Sequence, residues 1–183
     1  MCRTRSISLL GNWRSRLLSD VQGLVLEVGA GQGVNLAHYP REAYVIATEF
    51  DEDSLALAQP RSTSHIRLAA ADIEHLAFPD NTFDVITATL VFCSVERPVS
   101  GFQEVRRVLK PGGQLRLVEH VRSQHRWLGH LQDRLNARWY VWAEGCNINR
   151  DTEANVRLAG FDLLSVRVNI LGLIKTMVAR KPL

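Results

Sequence analysis

Short apolar runs rich in β-branched residues alternate along the chain with segments whose apolar positions recur at three and four residues. Such runs are typical of buried parallel strands, in which helices cover both faces. The last two runs lie close together and indicate a hairpin at the edge of the sheet, with the final strand antiparallel. The pattern therefore predicts an α/β fold with a seven-stranded, mostly parallel sheet and helices on both faces. The expected strands are 25–28, 44–48, 66–71, 83–88, 114–121, 161–168 and 174–179.

Helices are expected between most of these strands, and prolines, glycines and aspartates mark their ends. All of them belong to one expected domain, 1–183, in which 1–22 form a short lid or covering helix. The longest helix carries an apolar stripe that is expected to be mostly core, formed by Leu128, Leu131, Leu135, Trp139 and Trp142. The expected helices are 8–21, 34–39, Asp51 to Pro60, 97–109, 124–144 and Asp151 to Gly160.

Three glycines at alternate positions, Gly29, Gly31 and Gly33, follow the first strand. Glycine adopts positive φ and has no Cβ, so a ligand can approach the backbone of this loop closely. Strand, glycine loop and helix form the first crossover of a nucleotide-binding sheet. A dinucleotide fingerprint would need its third glycine at Val34, and here an acid, Glu27, precedes the first glycine by two residues. The pattern is E-x-G-x-G-x-G, which by itself is weak evidence for any one ligand.

An acid, Glu49, stands at the end of the second expected strand, twenty positions after Gly29. At this spacing an acid binds a ribose diol, because two carboxylate oxygens match two adjacent hydroxyls. Phe50 would then lie beside the adenine. The alternative is a helix-capping role, for which Asp51 and Asp53 are better placed.

Three further strand ends carry candidate ligands. Asp72, followed by Ile73, is placed to accept a hydrogen bond from an adenine amino group, or else is an ordinary loop aspartate. The segment 89–95 leaves the fourth strand at the edge where open α/β sheets bind ligands. The fifth strand brings Glu119 and His120 to the same edge.

Composition narrows the classes of partner. The 183 residues are 46% hydrophobic and 22% charged, as expected for a globular domain, and the net charge of +3 is scattered, so no nucleic-acid partner is expected. Three cysteines, Cys2, Cys93 and Cys146, are too few for a disulfide framework. Neither a signal peptide nor an apolar run of ~20 residues is visible. We expect a cytoplasmic protein without a membrane span, which leaves peripheral membrane contact and the oligomeric state open.

With these motifs in place, the sequence resembles the class I S-adenosylmethionine-dependent methyltransferases over nearly its full length. The resemblance implies a Rossmann-like fold for the predicted sheet, S-adenosylmethionine as cofactor, S-adenosylhomocysteine as product and a small-molecule substrate. Four patches carry it: 27–33, Glu49, 72–80 and 107–113.

A narrower resemblance is to the methyltransferase-like alkyl-thiol methyltransferases of animal membranes and their bacterial relatives. It is carried by the segments 35–40, 89–95, 119–121 and 145–150. That family methylates small, often lipophilic thiols, so the resemblance favours a thiol acceptor. The apolar anchor of its animal members does not appear in this sequence.

The resemblance and the strand ends together give the expected site. His120 is the candidate general base, because imidazole titrates near neutrality, or else is bonded into its loop. Cys93 and Cys146 are expected to be pocket walls or ordinary buried cysteines rather than redox groups, and Trp127 and Trp142 to flank an apolar substrate or to pack in the core. The expected cofactor-binding residues are Glu27, Gly29, Ala30, Gly31, Gly33, Asn35, Glu49, Phe50, Asp72, Ile73, Thr89, Leu90 and Ser94. The expected substrate-binding residues are Cys93, His120, Trp127, Trp142, Cys146 and Asn147.

No metal site is expected, because His120, His125 and His130 are five positions apart and do not share a helix face. The favoured function is methyl transfer to a small, apolar acceptor, with a thiol preferred. The alternatives are a quinone or phospholipid methyltransferase, an RNA or protein methyltransferase, and a non-catalytic S-adenosylmethionine-binding protein. The scattered charge argues against the RNA methyltransferase.

Overall fold

The structure is a computed structural model that describes residues 8–183. Cys2 and the first seven residues of the expected covering segment lie outside the described residues. Seven strands form one sheet. They are β1 (Gly23–Val28), β2 (Ala43–Glu49), β3 (Ile66–Ala70), β4 (Phe83–Thr89), β5 (Leu109–His120), β6 (Asp162–Asn169) and β7 (Ile174–Arg180). The α-helices of the described range are α1 (Ser8–Leu18), α2 (Glu52–Ala58), α3 (Pro98–Val108), α4 (Arg126–Trp142) and α5 (Thr152–Leu158).

The order of strands across the sheet is β3-β2-β1-β4-β5-β7-β6. The first five strands in the chain pair in parallel, whereas β7 is antiparallel to both β5 and β6. This confirms the predicted seven-stranded, mostly parallel sheet with an antiparallel last strand. The direction in which strands are added reverses between β1 and β4, and open α/β sheets bind ligands beside such a switch point.

Successive residues of the central strands face opposite sides of the sheet, and each side has its own apolar core. On β1, Val25 packs in the core that contains Leu17 and Leu18 around α1. The next residue, Leu26, packs in the core that contains Phe102 of α3. Helices therefore cover both faces, as predicted.

The helix predicted at 34–39 is wrong, because a 3₁₀ turn, Leu36–His38, stands in its place. The amide of Leu36 donates to the carbonyl of Gly33 at 3.2 Å, three residues back rather than four. Pro40 keeps the residue before it out of the helical region, and Tyr39 has a ψ of 135°. Too few residues remain between the glycine loop and the proline to nucleate an α-helix.

Strand β5 begins five residues before the predicted start at 114. The turn residues 110–113 end α3, as their sequence indicates, but they form a bulge within the strand. Between Phe83 and Val85 of β4, the paired residue on β5 moves from Leu109 to Gln114. A glycine in this run has a φ of 75°, which lets the chain loop out and return to the same neighbouring strand.

The prediction that the apolar stripe of α4 is mostly core is wrong. Leu128 is buried, but Leu131 and Leu135 are 44% and 42% exposed, and Trp142 is 76% exposed. A stripe at helical spacing becomes core only where another element covers it, and within the described range no element covers these three side chains. No helix of the described range has both the length and the apolar character that crossing a membrane requires.

Candidate active site

The carboxyl ends of the parallel strands carry most of the predicted site residues along one edge of the sheet. Strand β1 runs into the glycine loop, β2 ends at Glu49, β4 ends at Thr89 and β5 ends at His120. The switch in strand order, between β1 and β4, opens at the same edge. The topology thus brings the two halves of the predicted site, cofactor and acceptor, next to each other.

The glycine loop turns sharply because its three glycines have φ values of 65°, 54° and 74°. A Cβ at Gly29 would lie 2.5 Å from a methyl carbon of Val91, so a larger residue does not fit there. The amide of Ala30 donates to the carbonyl of Thr48 at 2.9 Å. The loop is therefore held across the end of β2, where the next predicted ligand stands.

Glu49 joins β2 to the glycine loop. Its buried carboxylate accepts the backbone N–H of Gly31 at 2.8 Å, of Phe50 at 2.8 Å and of Asp51 at 3.0 Å. Asp51, not Glu49, caps α2, because its carboxylate accepts the amide of Ser54 at 3.0 Å. The ring of Phe50, predicted beside the adenine, is 75% exposed at this edge.

A buried group of polar side chains surrounds Glu27 at the end of β1. The side-chain amide of Asn35 donates to Glu27 at 2.7 Å and to the hydroxyl of Thr89 at 3.1 Å. Burial raises the pKa of Glu27 to about 7, although its hydrogen bonds and the charge of Arg14 act in the opposite direction. Within the described range, Nε and Nη1 of Arg14, Oε2 of Glu27 and Oδ1 of Asn35 are buried without a hydrogen-bond partner. Since buried polar atoms are nearly always paired, this group indicates a polar ligand.

Asp72 and Ile73 follow β3 at the same edge. One carboxylate oxygen of Asp72 accepts the amide of Glu74 at 2.8 Å, and the other lies 3.4 Å from Nδ1 of His75. Ile73 packs against the core around Phe102. The local bonds of Asp72 are those of an ordinary loop aspartate, and its adenine role stays a prediction.

The loop after β4 is held by the carboxylate of Glu119. This fully buried group accepts the amides of Val91 at 2.9 Å, Phe92 at 3.0 Å and Cys93 at 3.2 Å. Burial raises the pKa of Glu119, against the three amide donors, which favour the ionised form. Leu90, a predicted cofactor contact, enters the loop with a φ of 59°.

Cys93, His120 and Cys146 meet beyond this loop. Both thiols are free and fully buried, and Nδ1 of His120 lies 3.3 Å from Sγ of Cys146. The two sulfurs and an imidazole nitrogen all lie within 4.8 Å of one another. The ring of Trp139 packs edge-on against His120 with centroids 6.4 Å apart, and the hydroxyl of Ser94 lies 3.7 Å from Sγ of Cys93. We call Cys93, His120 and Cys146 the Cys–His–Cys cluster.

The loop that carries Cys146 is tied to the loop that carries Cys93. The amide of Asn147 donates to the carbonyl of Cys93 at 2.8 Å. Asn136 of α4 donates to the side-chain oxygen of Asn147 at 3.0 Å and accepts the amide of Ile148 at 3.0 Å. Asn147, predicted to bind substrate, thus braces the two loops in this structure.

The two tryptophans predicted at the substrate lie at opposite ends of α4. They are fifteen positions apart, or about 22 Å along a helix. Trp142 contacts Trp139, with ring centroids 5.1 Å apart, so Trp142 lies toward the Cys–His–Cys cluster. Trp127 and Trp142 are 66% and 76% exposed, so neither packs in the core. One small acceptor cannot contact both.

A family model described as "Methyltransferase domain" matches residues 26–117, which is half of the chain and includes the glycine loop, Glu49 and the end of β4. The chain belongs to the S-adenosylmethionine-dependent methyltransferases. Its cofactor is S-adenosylmethionine. The resemblance inferred from the sequence motifs is confirmed.

Curated relatives of this methyltransferase include enzymes for different acceptors. Thiol S-methyltransferase TMT1B of Homo sapiens is 33% identical over 165 residues, which cover 81% of this chain and 67% of the relative. Demethylmenaquinone methyltransferase of Clavibacter sepedonicus is 32% identical over 127 residues, which cover 64% and 52%. Among solved structures, a putative methyltransferase from Bacillus halodurans has a TM-score of 0.78 at 19% identity, with 97% of this chain and 100% of the other covered. The structural likeness supports the fold.

The residues of the glycine-loop end fit the cofactor. Its amino acid moiety carries a carboxylate and an ammonium group. The guanidinium of Arg14 and the carboxylate of Glu27, both buried with unpartnered atoms, have the complementary charges. Glu49 and the glycine loop lie beside them, joined through Gly31.

Three residues of the site were not predicted as functional: Arg14, Glu119 as the anchor of the β4 loop, and Arg150. Arg14 carries a readable signal, because it precedes Leu17 and Leu18 by three and four positions and so shares their buried helix face. Arg150 donates to the carbonyls of Phe92 and Val95 and is close to both cysteines of the cluster. That position depends on two loops meeting, which local sequence patterns do not reveal.

Proposed function

We propose that this methyltransferase transfers the methyl group of S-adenosylmethionine to a small, apolar thiol. The observation that carries the proposal is the Cys–His–Cys cluster with Trp139 beside it. The cluster lies at the edge of the sheet that also carries the glycine loop and Glu49, which we call the cofactor end. Sulfur, imidazole and indole groups suit a soft, apolar acceptor better than a strongly polar one. The relative named thiol S-methyltransferase supports the same acceptor class.

The cofactor end is proposed to hold S-adenosylmethionine by its separate parts. Glu49 binds the ribose hydroxyls through Oε2, which accepts one backbone amide and retains a further lone pair, whereas Oε1 already accepts two amides. Arg14 binds the carboxylate and Glu27 the ammonium group of the amino acid moiety. Asp72, Ile73 and Phe50 surround the adenine. The remaining proposed contacts are Gly29, Ala30, Gly31, Gly33, Asn35, Thr89, Leu90 and Ser94.

Positioning is the main contribution of the chain to the reaction. The cofactor supplies an electrophilic methyl group on a sulfonium sulfur, and its thioether leaving group needs no proton. Catalysis then depends on holding acceptor and methyl in line at about 3–3.5 Å. Glu119 fixes the loop of Cys93 through three amides, and Asn136 with Asn147 fixes the loop of Cys146. These contacts hold in place the two loops that carry Cys93 and Cys146, which we call the acceptor end.

The acceptor thiol needs modest activation. With an ordinary pKa of about 8.5, a few per cent of it is thiolate at neutral pH. The guanidinium of Arg150 interacts electrostatically with Cys93 and Cys146, and its positive charge favours negative charge on an acceptor sulfur bound there. The general-base role of His120 stays a prediction, and Nδ1 of its ring lies against Cys146.

A reduced quinone is the second candidate acceptor. The exposed stripe of α4, with Leu131, Leu135 and Trp142, would suit the apolar tail of such a molecule. The relative named demethylmenaquinone methyltransferase supports it.

The experiment uses S-adenosylmethionine with a labelled methyl group and a panel of acceptors: an alkyl thiol, the alcohol and the amine with the same carbon skeleton, a phenol, a reduced quinone and RNA. We expect label in the thioether product, with the Michaelis constant falling as the alkyl chain lengthens. Label in the quinone or RNA and none in the thiol would overturn the thiol proposal. Tight cofactor binding without transfer to any acceptor would support a non-catalytic protein.

A further inference from the structure

The Cys–His–Cys cluster has the composition of a metal site. We propose that Cys93, His120 and Cys146 bind one zinc ion and leave a fourth coordination position open for the acceptor thiol. Two cysteine thiolates and one imidazole are ligands that zinc prefers. Three protein ligands with one open position are typical of catalytic zinc sites, whereas structural sites use four protein ligands. The occupancy of the open position rests on the proposed thiol specificity, but the metal site does not.

The distances suit a tetrahedral zinc ion. With zinc–sulfur bonds of about 2.3 Å and zinc–nitrogen bonds of about 2.0 Å, neighbouring ligand atoms lie roughly 3.5–3.8 Å apart. In the cluster, Nδ1 of His120 is 3.3 Å from Sγ of Cys146, and all three candidate ligand atoms lie within 4.8 Å of one another. Small adjustments of side-chain torsion angles would therefore bring the three atoms onto one ion.

The three ligands come from separate segments that other contacts hold in place. Cys93 lies in the loop anchored by Glu119, His120 ends β5, and Cys146 follows α4. The amide of Asn147 donates to the carbonyl of Cys93 and joins the first and third segments. A preformed arrangement of this kind reduces the ordering that a metal ion would otherwise impose.

The charges around the cluster are balanced for a divalent cation. Two thiolates neutralise the two positive charges of zinc. Outside them, the half-buried guanidinium of Arg150 interacts electrostatically with both cysteines. The carboxylate of Glu119 is occupied by three backbone amides, so it does not act as the fourth ligand. Among the described residues, the His, Cys, Asp and Glu side chains close enough to hold one metal ion together are Cys93, His120 and Cys146.

An open position on zinc would activate a thiol directly. A thiol that coordinates the metal loses its proton to solvent, and the bound thiolate keeps a lone pair for attack. The acceptor sulfur forms a carbon–sulfur bond with the methyl carbon, while the bond from that carbon to the sulfonium sulfur breaks and its electron pair stays on the cofactor sulfur. No oxidant or reductant takes part. In the zinc-bound protein His120 is a metal ligand. The acceptor thiol is then activated by the metal, and not by His120 as the general base expected from the sequence.

Metal content and spectroscopy test the site without any turnover. The full chain is purified under reducing conditions, stripped with a chelator and titrated with Zn²⁺ and Co²⁺. We expect one equivalent of either ion and a thiolate-to-cobalt charge-transfer absorption. Cys93→Ser and Cys146→Ser should each weaken metal binding by more than the roughly 10–100-fold that loss of an outer-shell partner costs. Cys2→Ser and His125→Gln are the matched controls and should bind as the wild type does.

The substitution His120→Cys separates a ligand from a base. The new cysteine supplies a third thiolate, so His120→Cys should retain the metal and the charge-transfer absorption. His120→Ala should lose most of the bound metal and most of the absorption. Addition of an alkyl thiol to the cobalt protein should shift the absorption, because the thiol enters the open position. Binding of S-adenosylhomocysteine by every variant shows that it is folded.

Two results would overturn the metal site. One is wild-type protein that binds no stoichiometric Zn²⁺ or Co²⁺ while its thiols are reduced. The other is a Cys93–Cys146 disulfide, seen as a loss of two mass units, in protein prepared without reductant and with zinc present. Thiol methylation by reduced protein that binds no metal would refute the zinc proposal but keep the proposed function. One equivalent of bound metal with no methylation of any thiol would support the site and refute the proposed acceptor.

Discussion

The backbone N–H of Gly31 donates to the carboxylate of Glu49 at 2.8 Å, joining the glycine loop to the end of the neighbouring strand. The same carboxylate accepts two amides of the turn that leads into α2. Glu49 therefore shapes the loop on which the cofactor is proposed to lie, in addition to its proposed contact with the ribose. Removal of the Glu49 side chain should therefore disturb the glycine loop and also remove the proposed contact with the ribose.

The substitution Glu49→Ala should weaken binding of S-adenosylmethionine by at least about 10-fold, because a hydrogen bond to a charged group contributes ~1.5–3 kcal/mol. Isothermal titration calorimetry measures the affinity directly. Glu52→Ala, in the exposed first turn of α2, removes a nearby carboxylate without touching the loop and is the control. Equal affinity of Glu49→Ala and wild type would refute the ribose assignment.

The buried carboxylate of Glu27 should make stability depend on pH. Burial raises its pKa in the folded protein from the ordinary 4.5 to about 7. Between these values the folded state holds a proton that the unfolded state has lost, so the free energy of unfolding should fall as pH rises from 4.5 to 7. One pKa unit corresponds to about 1.4 kcal/mol, so the full effect approaches about 3 kcal/mol.

Urea denaturation at several pH values, with wild type and Glu27→Gln compared at each pH, isolates this contribution. The amide does not titrate, so the difference in unfolding free energy should change across pH 4.5–7 and level off outside that window. A difference for Glu27→Gln that stays constant with pH would mean that the pKa of this carboxylate is not raised in the folded protein.

Much of the cofactor end can be predicted from sequence because its proposed cofactor-binding residues directly follow strands. Apolar runs fix where β1 and β2 end, and parallel strands bring Gly29 and Glu49 to one edge. The turn at 36–38 was not predictable from periodicity, because a few residues before a proline fit a helical pattern without being able to form a helix. Local pattern also failed at 110–113, where a run of turn residues forms a bulge inside β5.

The acceptor end was less predictable because it depends on contacts between distant segments. Cys93 and Cys146 are 53 positions apart, and neither neighbourhood has the spacing of a metal motif. The expectation of no metal site considered His120, His125 and His130, whereas the cluster combines one histidine with two cysteines. The stripe of α4 looked like core because helical spacing reports that a face is apolar and does not report whether another element covers it.

Arg14 provides a test of how the amino acid moiety of the cofactor is bound. Arg14→Met should reduce the affinity for S-adenosylmethionine by about 10-fold or more, because a charge-assisted bond to the carboxylate is lost. The affinity for decarboxylated S-adenosylmethionine should change little, since that ligand lacks the group. Arg16→Met, an exposed position on the same helix, is the control for both ligands. An equal loss for the two ligands would show that Arg14 supports the fold and does not contact the carboxylate.

The two exposed tryptophans of α4 offer a matched pair. Trp142→Ala should raise the Michaelis constant for long-chain thiols, because Trp142 lies beside Trp139 at the acceptor end, whereas Trp127→Ala should leave it unchanged. Both substitutions should alter the unfolding free energy by less than about 0.5 kcal/mol, as is usual for exposed positions. Initial-rate kinetics with thiols of increasing chain length, together with thermal melts, measure both effects. A larger effect of Trp127→Ala would place the acceptor at the other end of the helix.

The most direct test of the central claim is a competition in one vessel between an alkyl thiol and a reduced quinone for the deuterated methyl group of labelled S-adenosylmethionine, read by mass spectrometry. We predict that the deuterated methyl group appears on the thiol sulfur, and that Glu49→Ala forms less of this product at subsaturating cofactor. A deuterated methyl group found mainly on quinone carbon would contradict the assignment of the Cys–His–Cys cluster as the binding site of a thiol acceptor.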